Sequence, residues 1–270
     1  MTGRFAGKVA VITGGASGIG RATALALASE GCSVAIADIN DERLKSTANE
    51  IREAGAKCLA VRCDVSSDAQ VDELAERTFA AFGDVDILMN NAGVMLRGKP
   101  EEMPLDEWEW IFGINVFGVV RGIRAFLPRM IERGSGHVVN TASIGGLVGG
   151  RWHSASYSSS KFAVVGLSET LFVYLKRKGI GVSVLCPGGV RTNLNEGIRF
   201  SRTVDDPEKF GGSEEFGPQA VEPDDVARLV LDAIETKRFM ILTDPRLQSM
   251  LVRKAENIQS YLDIRANSGI

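Results

Sequence analysis

The sequence predicts a single doubly wound α/β domain, a parallel sheet with helices on both faces. Three observations point there. Short β-branched apolar runs recur along the chain, and they are near-continuous rather than alternating, as strands buried on both faces must be. Between them lie helical patterns that close on Gly, where a helix C-cap needs positive φ. The two kinds of segment alternate from the first residues onward, which implies right-handed crossovers and a sheet covered on both sides. A chain of 270 residues suits one large domain of this kind, expected to span 1–270.

The elements follow in order. K-V-A-V-I-T (8–13) is a strand running into a glycine-rich turn, and R-A-T-A-L-A-L-A-S-E-G (21–31) is the helix behind it. S-V-A-I-A-D (33–38) and C-L-A-V-R-C-D (58–64) are the next strands, separated by D-E-R-L-K-S-T-A-N-E-I-R-E-A-G (41–55) and followed by Q-V-D-E-L-A-E-R-T-F-A-A-F-G (70–83). D-I-L-M-N-N (86–91), H-V-V-N-T-A-S (137–143) and V-S-V-L-C-P (182–187) complete the apolar runs. Two long helical segments, Leu105 to Ile131 and Tyr157 to Lys178, lie between them. The stretch from Arg191 to about Val221 breaks the alternation with Gly, charges and isolated aromatics. It is long for a connection inside a compact domain, which favours a substrate loop or lid over a surface insertion without a role. From 247 to 270, Leu247, Leu251, Ile258, Tyr261 and Leu262 fall roughly at helical spacing, so a docked helical tail is expected.

Composition narrows the class. With 44% hydrophobic and 24% charged residues, 30 glycines and a net charge of -3, the chain reads as a soluble globular protein without a basic field for nucleic acid. No run of about eighteen apolar residues suggests a membrane span. Glycines interrupt the N-terminal apolar run and no cleavage site follows, so a cytoplasmic protein is expected. Cys32, Cys58, Cys63 and Cys186 lack metal-ligand spacing and are expected to be buried, reduced thiols. With only His137 and His153 besides, no metal site is expected. His153, four residues before Tyr157, suits a pocket wall or a surface position better than a general base.

In a sheet of this kind ligands bind beyond the carboxyl ends of the strands. After the first strand comes T-G-G-A-S-G-I-G, with Gly14, Ser17, Gly18, Ile19 and Gly20. Such a turn opening a helix lets backbone N–H groups approach a pyrophosphate, which the helix N-terminus also favours. The second strand ends in Asp38, about twenty residues on, where an acid accepts hydrogen bonds from a ribose diol; capping of the next helix is the alternative. A carboxylate there repels a 2′-phosphate and Ser17 adds no charge, so NAD is favoured over NADP. Asp64 and Val65 follow the third strand, suited to the adenine amino group and ring. Asn91, Ala92 and Gly93 follow the fourth, a turn small enough for a cofactor to lie against, though these are also ordinary turn formers. The fifth ends at Ser143, placing a hydroxyl at the ligand edge. Pro187, Gly188, Val190 and Thr192 follow the sixth, where a nicotinamide carboxamide would bind.

Y-S-S-S-K, Tyr157 to Lys161, puts a phenol and an ammonium one helical turn apart on one face. These residues together, with Asn115 in G-I-N-V-F-G and with P-G-G-V-R-T, appear in the order of the short-chain dehydrogenase/reductase family, and the chain resembles its classical subtype over roughly residues 5 to 195. The gap from Ser143 to Tyr157 looks about one residue longer than usual, so the loop between them is expected to differ in shape. The resemblance implies a seven-stranded Rossmann-type sheet, a bound nicotinamide cofactor, a catalytic set of Asn115, Ser143, Tyr157 and Lys161, and usually a homotetramer.

The chemistry also follows from the residues. Oxidising a secondary alcohol to a ketone requires removal of the hydroxyl proton, and a phenol with pKa near 10 is a poor base at neutral pH. A neighbouring Lys161 ammonium and a positive nicotinamide are suited to lower it, while Ser143 stabilises the substrate oxygen. Asn115 is expected to hold a water linking Lys161 to solvent, a helix kink being the alternative. Met95, Leu96, Trp152 and the loop near Phe200 to Phe216 are candidates for an apolar pocket for a moderately hydrophobic or cyclic alcohol or ketone. The two long helices carry apolar residues on more than one face, including Trp110, Ile111, Phe117, Phe126, Phe162, Leu171 and Phe172, so a homo-oligomer is expected.

Overall fold

The computed structural model describes residues 3–194, 197–210 and 220–267. The chain runs β1 (Val9–Thr13), α1 (Gly18–Ser29), β2 (Ser33–Asp38), α2 (Asp41–Glu53), β3 (Cys58–Arg62), α3 (Asp68–Phe82) and β4 (Ile87–Asn90). A two-residue strand β5 (Leu96–Arg97), then α4 (Leu105–Asn115), α5 (Phe117–Arg133), β6 (Gly136–Thr141), α6 (Gly145–Val148), α7 (Ala155–Lys176) and β7 (Ile180–Cys186) follow. The last part holds β8 (Arg199–Phe200), α8 (Pro223–Thr236), β9 (Met240–Leu242), α9 (Pro245–Glu256) and α10 (Ile258–Asn267). Seven strands form one all-parallel sheet in the order β3-β2-β1-β4-β6-β7-β9, and β5 pairs with β8 apart from it.

Side-chain alternation along each strand builds two cores. Ala10, Ile12, Val34 and Ile36 pack with Val226, Val230 and Ile234 of α8 and with Ala24 and Leu27 of α1. Val9, Val11, Ala35 and Ala37 face the other way, onto Val71 and Leu74 of α3 and Phe126 and Met130 of α5. This is why the strands read as continuous apolar runs: both faces are dry. The expected glycine caps are present, with Gly31, Gly55 and Gly83 at φ of 84°, 82° and 80°.

The structure departs from the sequence reading in three places. The segment from Leu105 is interrupted at Val116, where α4 gives way to α5, because the carboxamide of Asn115 is drawn out of the helix to bond Val94 and Ser160. By length and composition Leu105–Arg133 also suits a bilayer span, but here Ile111 and Phe126 are fully buried in the protein. The tail is two helices rather than one. Asn257 is extended (φ -155°) and its side chain accepts from Ser260 N, which starts α10 afresh. Strand β9 is only three residues long, too short to stand out as an apolar run, and pairs with the far end of β7.

Candidate active site

The carboxyl ends of the central strands open on one cavity of about 690 Å³. All the ligand-contacting residues expected from the sequence line it, except Gly20 and Asn115, which stand behind the wall. Gly20 lets α1 close on its own loop, since a Cβ there would run into the Gly14 carbonyl and the Asn91 amide.

At one end, Gly14 takes φ 63° and Gly18 φ 49°, and a Cβ on either would come within 2.9 Å of Ala92 or Thr192 respectively. Thr13 ties this turn to the next: its hydroxyl accepts from Asn91 N (3.0 Å) and Ala92 N (3.1 Å), while Asn91 Nδ2 donates to the carbonyls of Thr13 and Gly14. Ser17 makes no side-chain cap and the first turn of α1 holds no acid, so the helix N-terminus is left for an outside anion. Asp38 is held by Ala16 N (3.2 Å) and Asn40 N (3.0 Å) at the cavity edge, beside Ile39 and Arg43. Asp64 accepts from Ser66 N and Oγ, and Val65 is buried beside it. The glycine turn and the uncapped helix end fit the pyrophosphate of a nicotinamide dinucleotide.

At the other end α7 presents Tyr157 and Lys161, with Ser143 from the end of β6. Tyr157 hydrogen-bonds the Ser143 side chain, and Ser143 Oγ accepts from Gly145 N at 3.1 Å. Lys161 Nζ donates to the Thr141 carbonyl (3.0 Å) and stands 5.7 Å from the centre of the Tyr157 ring. Burial pushes the Tyr157 phenol up, against the opposing pull of Ser143, and brings the Lys161 ammonium down to about 8. Asn115 Oδ1 accepts from Val94 N (2.9 Å), and Nδ2 donates to Val94 O and Ser160 Oγ. Asn115 Oδ1 and Lys161 Nζ flank the same spot, each 3.2 Å from where a Cβ on Gly93 would lie. Of the four thiols expected to be buried and reduced, Cys32, Cys63 and Cys186 are buried and Cys58 is half-buried; all four are unbridged, and burial pushes Cys186 up to about 12. Among the described residues no cluster suited to a metal appears.

The substrate end is lined by Met95, Val148, Leu194, Leu247 and Met250. Leu96 lies buried beneath this wall and Trp152 faces outward, stacking on Phe210 at 5.4 Å; Phe216 falls outside the described residues. His153 is a buried wall residue, 5.2 Å from Trp152 and 6.0 Å from Phe210 between ring centres. Within 191–221, the described part is pinned over the wall: Arg199 N donates to Met95 O, Ser201 N to Arg97 O, and Arg97 Nη1 to Phe210 O (2.9 Å). Arg202 grips Asp106 through two bonds of 2.8 and 2.7 Å. Sequence reasoning missed Arg97, Arg151, Ser158 and Arg265 as lining residues; Ser158 lies within Y-S-S-S-K, and no local motif marks the three arginines.

The model of the "short chain dehydrogenase" family matches residues 8–202. A "CLA biosynthesis dehydrogenase/reductase" of Lactiplantibacillus plantarum is 36% identical over 269 residues, covering 94% of each chain. The "3beta-hydroxysteroid dehydrogenase 2" of Eggerthella lenta is 41% identical over 197 residues, 72% of this chain and 75% of its own. Among solved structures, a short-chain dehydrogenase/reductase from Burkholderia phymatum in complex with NAD superposes with a TM-score of 0.87 at 38% identity, covering 94% of this chain and 95% of its own. The seven-stranded parallel sheet agrees with these likenesses, and the chain belongs to the short-chain dehydrogenase/reductase family, oxidoreductases of hydroxyl- and keto-bearing small molecules.

Proposed function

We propose that this chain is an NAD(H)-dependent oxidoreductase interconverting a secondary alcohol and a ketone, with Tyr157 as the general acid and base. The observation that carries the reading is the convergence of Tyr157, Ser143 and Lys161 in the cavity that also holds the glycine turn and Asp38. A dinucleotide-binding sensor without turnover has no need of all three groups together.

Asp38 supports NAD over NADP. Its two oxygens are oriented by Ala16 and Asn40, leaving lone pairs for a ribose diol and a negative charge where a 2′-phosphate would stand. Arg43 beside it is the one feature that favours an NADPH-dependent reductase as a second reading. Gly14, Ser17, Gly18 and Ile19 would hold the pyrophosphate, Asp64, Val65 and Asn91 to Gly93 the adenosine and the near face, and Pro187, Gly188, Val190 and Thr192 the carboxamide. When bound, the nicotinamide ring accepts or donates the hydride.

The protein's own residues handle the proton. Ser143, with its oxygen fixed by Gly145 N, orients the substrate oxygen next to the Tyr157 hydroxyl. In oxidation the phenolate takes the alcohol proton; in reduction the phenol returns it. Lowering a phenol from about 10 to 7 requires roughly 4 kcal/mol, and more where burial has first raised it; the adjacent Lys161 ammonium and the charge of the oxidised cofactor would supply it. Asn115 Oδ1 keeps a lone pair toward the spot it shares with Lys161, suited to a water that passes the proton outward.

Calorimetry is expected to show NADH binding at least tenfold tighter than NADPH, about 1.4 kcal/mol, with the gap narrowed in Asp38→Ala. Equal binding of the two by the native protein would assign the cofactor to the second reading. Reduction of NAD with a panel of secondary alcohols tests turnover itself.

A further inference from the structure

Charged side chains line the cavity at both ends. Among the described residues the acids that line it, Asp38 and Asp64, both stand at the end assigned to adenosine. Beyond Tyr157 the ionised side chains in the lining are Arg97, Arg151 and Arg265, set into a wall otherwise made of Met95, Val148, Leu194, Leu247 and Met250. Arg97 is buried, Arg151 exposed and Arg265 half-buried, and Arg97 and Arg151 already have partners within the protein.

Arg265, from α10, is the most specific of the three. Its Nη2 donates to the Gly150 carbonyl at 2.9 Å and its Nη1 to the Tyr261 hydroxyl at 3.3 Å, so the donors accounted for go to neutral partners. A guanidinium carries five N–H donors in a rigid fork, and those remaining match the two oxygens of a carboxylate. The positive field is felt nearby: burial first, and Arg265 second, pull the Lys254 ammonium below its ordinary value. Independently, Ser158 Oγ lines the cavity on the far side of the same Gly150, packed so close that a Cβ there would collide with it. That hydroxyl is 92% buried with its residue (8% exposed) and has no hydrogen-bond partner among the described residues. An unpaired buried hydroxyl beside a guanidinium held by neutral groups is half of a receptor for an anion.

We propose that the substrate is a hydroxy- or oxo-carboxylic acid with an apolar skeleton, its carboxylate received at Gly150 by Arg265 and Ser158. The apolar wall takes the carbon skeleton. A single planar fork between apolar side chains suits a carboxylate better than a phosphate, which asks for more donors on more sides. The inference rests on the alcohol–ketone chemistry proposed above and adds to it the second functional group of the substrate.

The test uses the full chain with NAD and matched probes: 3- and 4-hydroxycyclohexanecarboxylate against their methyl esters. The acids are expected to show kcat/KM at least tenfold above the esters, mainly through KM. Arg265→Met is expected to lower the acid value at least tenfold more than the ester value, with Arg265→Lys keeping part of the preference. Because Arg265 also docks the tail, Ser158→Ala serves as a second variant and is expected to narrow the acid-to-ester ratio about threefold. A merely structural Arg265 would lower acid and ester alike. Esters turned over as well as acids overturn the carboxylate receptor and leave the oxidoreductase reading standing. If NADH binds but neither probe is oxidised, that counts against the oxidoreductase reading, and calorimetry on the NADH complex decides the receptor alone. There, cyclohexanecarboxylate must bind at least tenfold tighter than cyclohexanecarboxamide, and equal binding, or binding of neither, overturns it.

Discussion

Lys161 meets two opposed demands at one nitrogen. It is 3% exposed, and burial has brought it to about 8, yet its use to Tyr157 depends on keeping the proton. At neutral pH it keeps it. The stability consequence has a definite sign. A lysine whose folded pKa lies below its unfolded 10.5 leaves the unfolded chain binding more protons between pH 8 and 10.5. The Lys161 contribution to the stability of the cofactor-free protein therefore rises with pH across that window, against the four cysteines, whose raised thiols subtract stability above their unfolded 9.0. Urea unfolding of the cofactor-free protein at steps from pH 7.5 to 10 is expected to show a native-minus-Lys161→Met difference in stability that rises with pH. A native curve that falls there as steeply as the variant's would mean the ammonium is stabilised, not strained, by its site. Tyr157→Phe separates chemistry from binding: it removes only the hydroxyl, so turnover is expected to fall below a few per cent with NADH affinity nearly unchanged. Substantial residual activity would move the base elsewhere, and buried His153 in the same wall is the next group to try.

Elements differ in how openly the sequence declared them. Strands buried on both faces, and helices closed by Gly31, Gly55 and Gly83, carry their signals within a dozen residues, and the strand ends then put the cofactor-facing residues at one edge. The break at Val116 and the strand β9 are decided by distant partners, Val94 and Ser160 for the first and β7 for the second, whereas the restart of the tail at Asn257 is a local cap on Ser260 N. Arg265 reaches Gly150 across 115 positions, so no local pattern announces it. The same contrast predicts two mutational costs. Gly83 caps α3 at φ 80° with open space around its Cα, so Gly83→Ala is expected to cost about 1 kcal/mol through backbone strain alone. Gly122 lies inside α5 where a Cβ would collide with the buried Asn90 side chain of β4. Asn90 Nδ2 donates to Asn140 Oδ1, and Asn140 in turn to Ser168, so α5 must lift off the sheet or the chain must break. Gly122→Ala is expected to cost about 2–3 kcal/mol, more than Gly83→Ala. Urea midpoints at constant m compare the two directly, and the reverse order would place the close approach of α5 and β4 in error.

The molecule as a whole leaves apolar surface that its own fold does not cover, on the C-terminal helices and on the long helices. Of the apolar residues on the long helices, Ile111 and Phe126 are fully buried, and Trp110, Leu171 and Phe172 are half-buried. Others face out: Leu105 is 72% exposed, Phe117 53%, Phe162 39%, Val173 74% and Tyr174 54%. Single exposed apolar side chains are ordinary, but these recur on α4–α5 and on α7, the helices that already bury one stripe against the sheet. Each large apolar side chain taken out of water contributes roughly 1.5–3 kcal/mol, and symmetry multiplies the gain when the covering surface is the same surface on another copy. We propose a homotetramer built on these two helices. Light scattering at micromolar concentration is expected to give four times the 29.0 kDa chain mass. Phe117→Glu together with Val173→Glu, which place charges at the centre of the proposed contact, is expected to shift that mass downward while leaving the helical circular dichroism intact. A native mass of one chain would sink the tetramer, and a tetramer unmoved by both substitutions would place the contact on another face.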